Sequence, residues 1–525
     1  MAYKVLIPTA GTGSRLGGMT KYLNKSLIEI GNKPAISRII EMFPDDTEYV
    51  IPVGYKGELV KEFISLAYPQ KKVVFVEVSP YEGKGSGLGL SICLCREYLQ
   101  CPFIFCSCDT LVNERMDAPD HNWMGYDDRD NREQYRTLSI AANETVISIN
   151  EKGLVDENAR PYIGLAGIFD YQTFWDQMDG SEACIAQGES YGMRALIKAG
   201  VAAKKFTWFD TGVKVELEAT RKRYAVLDAP NILEKENEAI WFLDDKVIKY
   251  SDDTGFIADR ITRAELLEGF VPPVTAFTKH MYCYQYITGS VISGCVSLPV
   301  FHKLLEFSKS FWVERKLEGA EKEKFYRSCM KFYKTKTYQR IELFYSNFSR
   351  SDDAYLINDV RYPSLDSLLE QVDWEYLAEG LPGQFHGDYH FENIIYDKQK
   401  DAFELIDWRQ NFGGSLSVGD IYYDLAKLLH GLLMCHELVA KDLISAEWKD
   451  GAIRYDFARK HILVECEKAY YQWLEHNSYD VKKVKLLTSI IFLNIAALHH
   501  DPYSLVLYAL GKEMLYFSLK EDHDA

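Results

Sequence analysis

Hydrophobic and polar positions change rhythm once along this chain. Up to about residue 220, short runs rich in Val, Ile and Phe recur at Lys4–Pro8, Tyr49–Val53, Lys72–Val78 and Phe103–Cys108. They have the length and composition of buried strands. Between them, Ala35–Met42, Gly57–Ala67 and Leu88–Tyr98 space their apolar residues as helices do. Strand–helix alternation predicts an α/β domain with a mostly parallel sheet and crossover helices. Ligands in such sheets bind beyond the carboxyl ends of the strands. The pattern changes after Ala219–Tyr224. Ala239–Leu243, Lys246–Tyr250 and Met281–Ile287 alternate as strands of a small mixed lobe, about 232–290. Residues 291–525 read as mostly helical, with strand-like interruptions at Ile394–Tyr396 and Phe403–Ile406. A short junction is expected around Ala229-Pro230, giving domains of 1–228 and 229–525.

Composition fits that division. A chain of 525 residues exceeds the size at which one core stops growing, about 250–300 residues. Hydrophobic residues at 47% and charged residues at 26% supply two soluble cores. The formal net charge of −17 opposes broad binding to nucleic acid or to an anionic membrane. An anionic substrate therefore needs a local cationic cleft. Eleven cysteines include Cys93/Cys95 and Cys106/Cys108. Both pairs lie in apolar runs and read as small core residues rather than zinc ligands. Reduced thiols, an opening too quickly polar for a signal peptide, and no apolar run of ~18 residues predict a cytoplasmic protein without membrane insertion.

The first strand runs into Ala10-Gly11-Thr12-Gly13-Ser14-Arg15, and Lys25 follows. A Gly-rich turn lets backbone N–H groups approach phosphate oxygens, and the Arg and Lys supply charge for a polyphosphate. Other phosphate loops fit poorly. A dinucleotide fingerprint needs Gly where Leu16 stands, and a Walker loop needs Gly-Lys-Ser/Thr.

This segment resembles the G-x-G-x-R…Pro-Lys signature of sugar and alcohol-phosphate nucleotidyltransferases, with Asn24 in place of proline. Phe103–Asp109 resembles their strand ending in a metal-binding aspartate. Ile149–Gly153 and Tyr162–Phe169 resemble acceptor-side strands, and Trp208-Phe209-Asp210-Thr211-Gly212 resembles a late W-x-D-x-G motif. The resemblance covers about residues 1–224 and implies a Rossmann-like nucleotidyltransferase. A phosphate oxygen of the acceptor would attack the α-phosphorus of a nucleoside triphosphate, and pyrophosphate would leave. Ala10, Gly11, Thr12 and Gly13 would then hold the triphosphate, Arg15 its β/γ oxygens and Lys25 its α-phosphate. Asp109 and Asp210 would hold Mg²⁺. Gly85 and Ser86 are the candidates for base recognition.

The C-terminal half carries Phe385-His386-Gly387-Asp388, with Asn393 five residues after the aspartate. That spacing is the one a kinase catalytic loop uses. One carboxylate meets the acceptor hydroxyl, and an amide oxygen holds metal. Asp407 follows at the end of an apolar strand. H-G-D, together with Gly419-Asp420-Ile421-Tyr422-Tyr423-Asp424-Leu425-Ala426, resembles the aminoglycoside phosphotransferase and choline kinase superfamily. The resemblance implies a bilobal, protein-kinase-like α+β domain that uses ATP. Asp388 would be its base and Asn393 and Asp407 its metal ligands. Lys249 and Tyr286 would serve the nucleotide, with Glu265 a candidate lysine partner. His386 is expected to be structural. Arg409 departs from the pattern, and no Gly-rich loop is evident near Glu234–Ala239. The basic stretch Lys309–Arg340 reads as a solvated helical face. Tyr470, Tyr471 and Trp473 read as core rather than as a cage for a quaternary ammonium.

Together the resemblances imply a bifunctional transferase. A kinase makes a phosphate monoester from a small alcohol, and a nucleotidyltransferase caps it, with CTP preferred, giving a CDP-alcohol precursor of cell-surface (capsule) polysaccharide. The alternatives are an anomeric sugar kinase joined to an enzyme making a UDP- or GDP-sugar, and a chain in which one domain is a degenerate regulatory module. No motif specifies the acceptor or the oligomeric state.

Overall fold

The computed structural model describes residues 3–116, 118–130, 132–153, 159–225, 236–353 and 355–520. The junction expected at Ala229-Pro230 lies outside the described residues. The chain divides into two compact units, Met1–Thr254 with Thr275–Tyr286, and Gly255–Val274 with Ile287–Ala525.

The first unit is built on strands β1 (Lys4–Leu6), β2 (Glu48–Val53), β3 (Val73–Glu77) and β4 (Phe103–Cys106). Next come β5 (Thr110–Val112), β6 (Trp123–Tyr126), β7 (Thr137–Ile140) and β8 (Val146–Asn150). Then follow β9 (Arg160–Ile168), β10 (Ala202–Lys205) and β11 (Trp208–Asp210). Nine of them form one sheet in the order β8-β7-β9-β4-β1-β2-β3, with β6 joining β9 to β10. β1 pairs in parallel with β2 and β4, and β2 with β3, while β9 returns antiparallel to β4. Successive residues alternate between two cores. Val5, Tyr49, Ile51, Ile104 and Cys106 enter one, and Leu6, Val50, Phe103 and Phe105 the other. Burial on both faces explains the unbroken apolar runs of these strands. Helices Ala35–Ile40, Gly57–Ala67 and Leu88–Leu94 form as their periodicity predicts, the last followed by a 3₁₀ turn at Arg96–Tyr98.

A second, four-stranded sheet belongs to the same unit. Its strands Glu238–Phe242, Lys246–Ser251 and Met281–Gln285 match the predicted ones, and Val274–Phe277 completes it. Trp241, Ile248, Tyr250 and Met281 enter the core that Val5 and Phe63 share. The Trp241 ring meets Phe63 edge-on, with centroids 5.0 Å apart. Polar ties surround that contact. Lys33 pairs with Asp244 at 2.8 Å, and the Tyr250 hydroxyl donates to the Tyr22 carbonyl at 2.6 Å. Glu62 accepts from the Thr278 hydroxyl and the His280 backbone.

The second unit is mainly helical. Helices Gly319–Met330, Lys336–Phe348, Ile421–Leu433, Val481–Ala496 and Tyr503–Lys520 share one core. The Ile394–Asp397 and Ala402–Leu405 strands form the predicted β interruption. A second hairpin, Ile444–Lys449 with Ala452–Phe457, lies where the sequence reading placed helix. Its turn is Asp450-Gly451, with φ of 50° and 75°. Two consecutive positive φ values suit the Asp-Gly turns that join twisted antiparallel strands.

Among the described residues no helix is long and apolar enough to cross a membrane. All eleven cysteines are free thiols, and Cys95, Cys106 and Cys108 are buried.

Candidate functional site

The Gly-rich turn leaves the carboxyl end of β1. Gly13 has φ +68°, and a Cβ there would stand 2.9 Å from Thr20 and 3.1 Å from the Lys25 side chain. Only glycine lets the turn close over Lys25. Asn24, fully buried, fixes the approach. Its amide donates to the Thr9 carbonyl at 2.9 Å and the Tyr55 carbonyl at 2.7 Å, and its Oδ1 accepts from the Ser26 backbone.

Lys25 Nζ forms an ion pair with Asp109, and Arg15 lies 3.7 Å from the same carboxylate. Burial opposes charge on Asp109, but the Lys25 ammonium, Ser107 and Arg15 outweigh it and bring its carboxyl down to about 2. Asp210 arrives from β11, whose antiparallel pairing with β5 sets it opposite Thr110. A Cβ on Gly212 would stand 2.7 Å from Asp109 Oδ2 and 3.0 Å from Asp210 Oδ1, so the two carboxylates flank one point. Burial and the Asp109 charge raise the Asp210 carboxyl, which accepts from the Gly212 backbone at 2.7 Å and from the Tyr135 hydroxyl at 2.8 Å. Two mutually repelling carboxylates at one point fit a hard divalent cation that completes its shell with phosphate oxygens and water. Gly85 and Ser86 lie on an exposed turn, where Ser86 Oγ donates to the Gly83 carbonyl. Tyr81, in the same loop, closes on the Ala10 turn across Gly54. Tyr135 and Asn24 are site residues that no motif reading assigns a role.

In the second unit the Phe385–Asn393 loop is fastened from behind. Asp424 accepts from the His386 backbone at 2.6 Å, the Gly387 backbone at 2.7 Å and the Trp312 indole at 3.2 Å. The G-D-x-x-Y-D motif is therefore scaffolding for the loop. Its Asp420 likewise accepts from the Leu381 backbone and the Tyr333 hydroxyl. Arg263 adds three bonds, to the carbonyls of Phe385, Arg409 and Leu416. His386 is buried, bonds the Ile406 carbonyl through Nε2 at 2.9 Å and is held neutral by burial, down to about 3. It is structural, as the sequence reading expects.

Asp388 pairs with Lys427 at 2.8 Å and lies 3.4 Å from His390 Nε2. Asn393 Nδ2 donates to its backbone carbonyl at 3.0 Å and its carboxylate at 3.1 Å. Burial opposes the Asp388 charge, yet Lys427 and His390 hold its carboxyl well below the usual range. It stands ionised. Asp407 has φ +59° just past the Ala402–Leu405 strand, 3.8 Å from Arg260, and the Ile406 backbone bonds the Asn393 carbonyl at 2.9 Å. A carboxylate and an amide on these joined segments fit a hard cation. Lys427 and Arg263 escaped the motif reading, although Lys427 lies three residues beyond the motif's Asp424 on the same helix face.

Lys249 belongs to the four-stranded sheet of the first unit, and Tyr286 directly follows its Met281–Gln285 strand. Lys249 is buried, with Nζ 5.7 Å from the Tyr284 ring centroid, and Tyr286 is exposed. Glu265 is exposed on the Thr254–Leu266 helix. Tyr470 is core, its hydroxyl bonding the Leu425 carbonyl and its ring stacked on Trp473.

Known proteins match parts of the chain. Residues 334–459 match the model of the phosphotransferase enzyme family, APH. The chain is 25% identical over 175 residues to the bifunctional protein GlmU of Methanococcus vannielii. That match covers 32% of this chain and 41% of the relative. A solved Bacillus anthracis glucose-1-phosphate thymidylyltransferase chain is 19% identical, with a TM-score of 0.37, covering 45% of this chain and 98% of that one. The CTP:phosphocholine cytidylyltransferase of Streptococcus pneumoniae is 20% identical, with a TM-score of 0.35, covering 42% and 99%. The chain thus combines a segment, residues 334–459, that matches the phosphotransferase enzyme family with similarity to part of GlmU, of which it spans about two fifths of the length.

Proposed function

We propose that this chain runs two consecutive transfers. ATP phosphorylates the hydroxyl of a small acceptor, and a nucleoside triphosphate then caps the new phosphate monoester with release of pyrophosphate. The observation that carries this reading is the presence of two carboxylate-and-cation centres in one chain, Lys25–Asp109–Asp210 and Asp388–Lys427–Asn393.

In the first transfer Asp388 accepts the hydroxyl proton as the acceptor oxygen attacks the γ-phosphorus and ADP leaves. Lys249 and Tyr286 serve ATP. In the second, a phosphate oxygen attacks the α-phosphorus. Ala10–Gly13 and Arg15 grip the triphosphate, Lys25 neutralises the charge that develops, and Gly85 and Ser86 meet the base. Mg²⁺, held by Asp109 and Asp210 and by Asn393 and Asp407, would supply charge neutralisation at both centres. CTP is the preferred donor and a CDP-alcohol for cell-surface polysaccharide the product. The junction near residue 229 separates the segments responsible for the two chemistries.

The test is a screen of the intact chain for ADP and pyrophosphate release with Mg²⁺, ATP and each further nucleoside triphosphate against alcohols, polyols and reducing sugars. Release of both with CTP and an alcohol supports the reading. Release with UTP or GTP and a reducing sugar supports a nucleotide-sugar product instead. Nucleotide binding without pyrophosphate release from any phosphate ester would leave one domain regulatory.

A further inference from the structure

The basic stretch Lys309–Arg340 is solvated over most of its length, as its sequence reads, but Lys336 and Arg340 at its end are half-buried. Helix Gly319–Met330 passes through a π-helical turn, Lys331–Thr335, into helix Lys336–Phe348. Such turns are rare and cluster at functional sites. This one presents Lys336, whose Nζ lies 4.1 Å from the Phe332 ring centroid. Arg409 reaches the same ring from the segment after Asp407, with Cζ 4.8 Å from its centroid. Arg409 also brackets the catalytic loop. Its backbone donates to the His386 carbonyl at 2.8 Å, and its Cβ stands 2.5 Å from where a Gly387 side chain would begin. Arg340 lies one helical turn beyond Lys336. Lys427, buried, completes the group on Asp388.

Lys427 alone of these cations pairs with Asp388, while Lys336 and Arg409 share the Phe332 ring. Among the described residues no carboxylate pairs with Lys336, Arg340 or Arg409. Burial, then Arg409, Arg340 and Lys427, push the Lys336 ammonium down to about 6. Half-buried cations crowded together without counter-charge are costly, and an arriving anion relieves that cost. Tyr470, one candidate for a cage around a quaternary ammonium, is sealed in the core, and Lys309 stands 6.0 Å from the Trp473 ring centroid.

The geometry points to an anionic acceptor: a hydroxyl compound that already carries a phosphate or carboxylate group, held by Lys336, Arg340 and Arg409 with its hydroxyl at Asp388. This rests on the reading of Asp388 as the base of phosphoryl transfer.

Two measurements on the full chain test it. In calorimetric titration with inorganic phosphate, Lys336→Met/Arg340→Gln loses one binding equivalent, or binds it at least about tenfold more weakly, as loss of charge-assisted bonds predicts. Sites elsewhere are common to both proteins and cancel, and Lys336→Arg, which keeps the charge, retains the equivalent. Identical phosphate binding by wild type and a double variant of unchanged melting temperature overturns the proposal. In ADP release, glycerol 3-phosphate or glycerate outperforms glycerol, ribitol 5-phosphate outperforms ribitol, and choline is inert. The double variant raises KM for the anionic acceptor while KM for ATP stays within about twofold. Faster turnover of choline or of the neutral alcohols overturns the anionic acceptor and leaves the kinase reading standing. A defect confined to KM for ATP assigns the cations to the triphosphate and overturns it as well. Failure of every acceptor to release ADP removes the kinase reading and this inference with it.

Discussion

Four hydrogen bonds converge on the Asn24 side chain, tying the Gly-rich turn and the Tyr55 carbonyl to the residue after Lys25. The residue that departs from the nucleotidyltransferase signature is thus a fastener for its lysine. Lys25→Ala should cut nucleotidyl transfer by about 10²-fold, as loss of charge at a developing phosphorane does. Asn24→Ala should act in the same direction and more weakly, and pyrophosphate release measures both; a near-normal rate for Lys25→Ala removes it from the site. Glu189 offers a test by pH. It is 3% exposed, and burial raises its carboxyl from 4.5 to about 7. Between those values the folded chain holds a proton that the unfolded chain has released. Stability therefore falls as pH rises through that window. Glu189→Gln should remove up to about 3 kcal/mol of that fall. Urea unfolding at both ends of the window reads it, and parallel pH profiles for the two proteins would contradict it.

Elements set these residues in place by closing on glycine. Gly387 has φ +86° and no room for a Cβ against Arg409. Gly387→Ala should displace the Asp388 loop and suppress ADP release strongly, leaving pyrophosphate release from a supplied phosphoester near normal; retained ADP release would show that the loop tolerates the change. Sequence made the strand ends legible, since parallel strands buried on both faces must be continuously apolar. It made Asp388 and Asn393 candidates through their spacing within one loop, and Asp109 and Asp210 each through a short motif of its own. Lys427, Arg263 and Lys336 were not legible as site residues. They reach it through helix packing, and nothing in a single helix's periodicity says that an isolated basic residue faces a distant loop. The Ile444–Phe457 hairpin was missed for another reason. Its Asp-Gly turn is present, but Ile444, Ala446 and Trp448 alternate within an otherwise helical stretch.

At the scale of the molecule the two chemistries should separate. Asp388→Ala should abolish ADP release and leave nucleotidyl transfer from a supplied phosphoester intact; loss of both contradicts that independence. Stability should not separate along the same line. Trp241 lies in the small mixed lobe that the sequence reading assigns to the C-terminal domain, yet it packs on Phe63 in the core of the first unit. Trp241→Ala should cost about 3–5 kcal/mol, read as a lower temperature at which nucleotidyl transfer is lost. An unchanged temperature would mean that the shared core is dispensable.

That shared core bears on how such a chain can be recombined. A cut at the boundary of motifs, near residue 229, would strip one partner of its sheet and leave the Phe63 face of the other bare. Cuts near Thr254 and Tyr286 would respect the packing but fall inside the segment that the motif reading assigns to a single domain. The unit of inheritance that keeps both intact is the whole chain, so exchange of one activity for another is expected to proceed by changes in loops and pockets rather than by swapping halves.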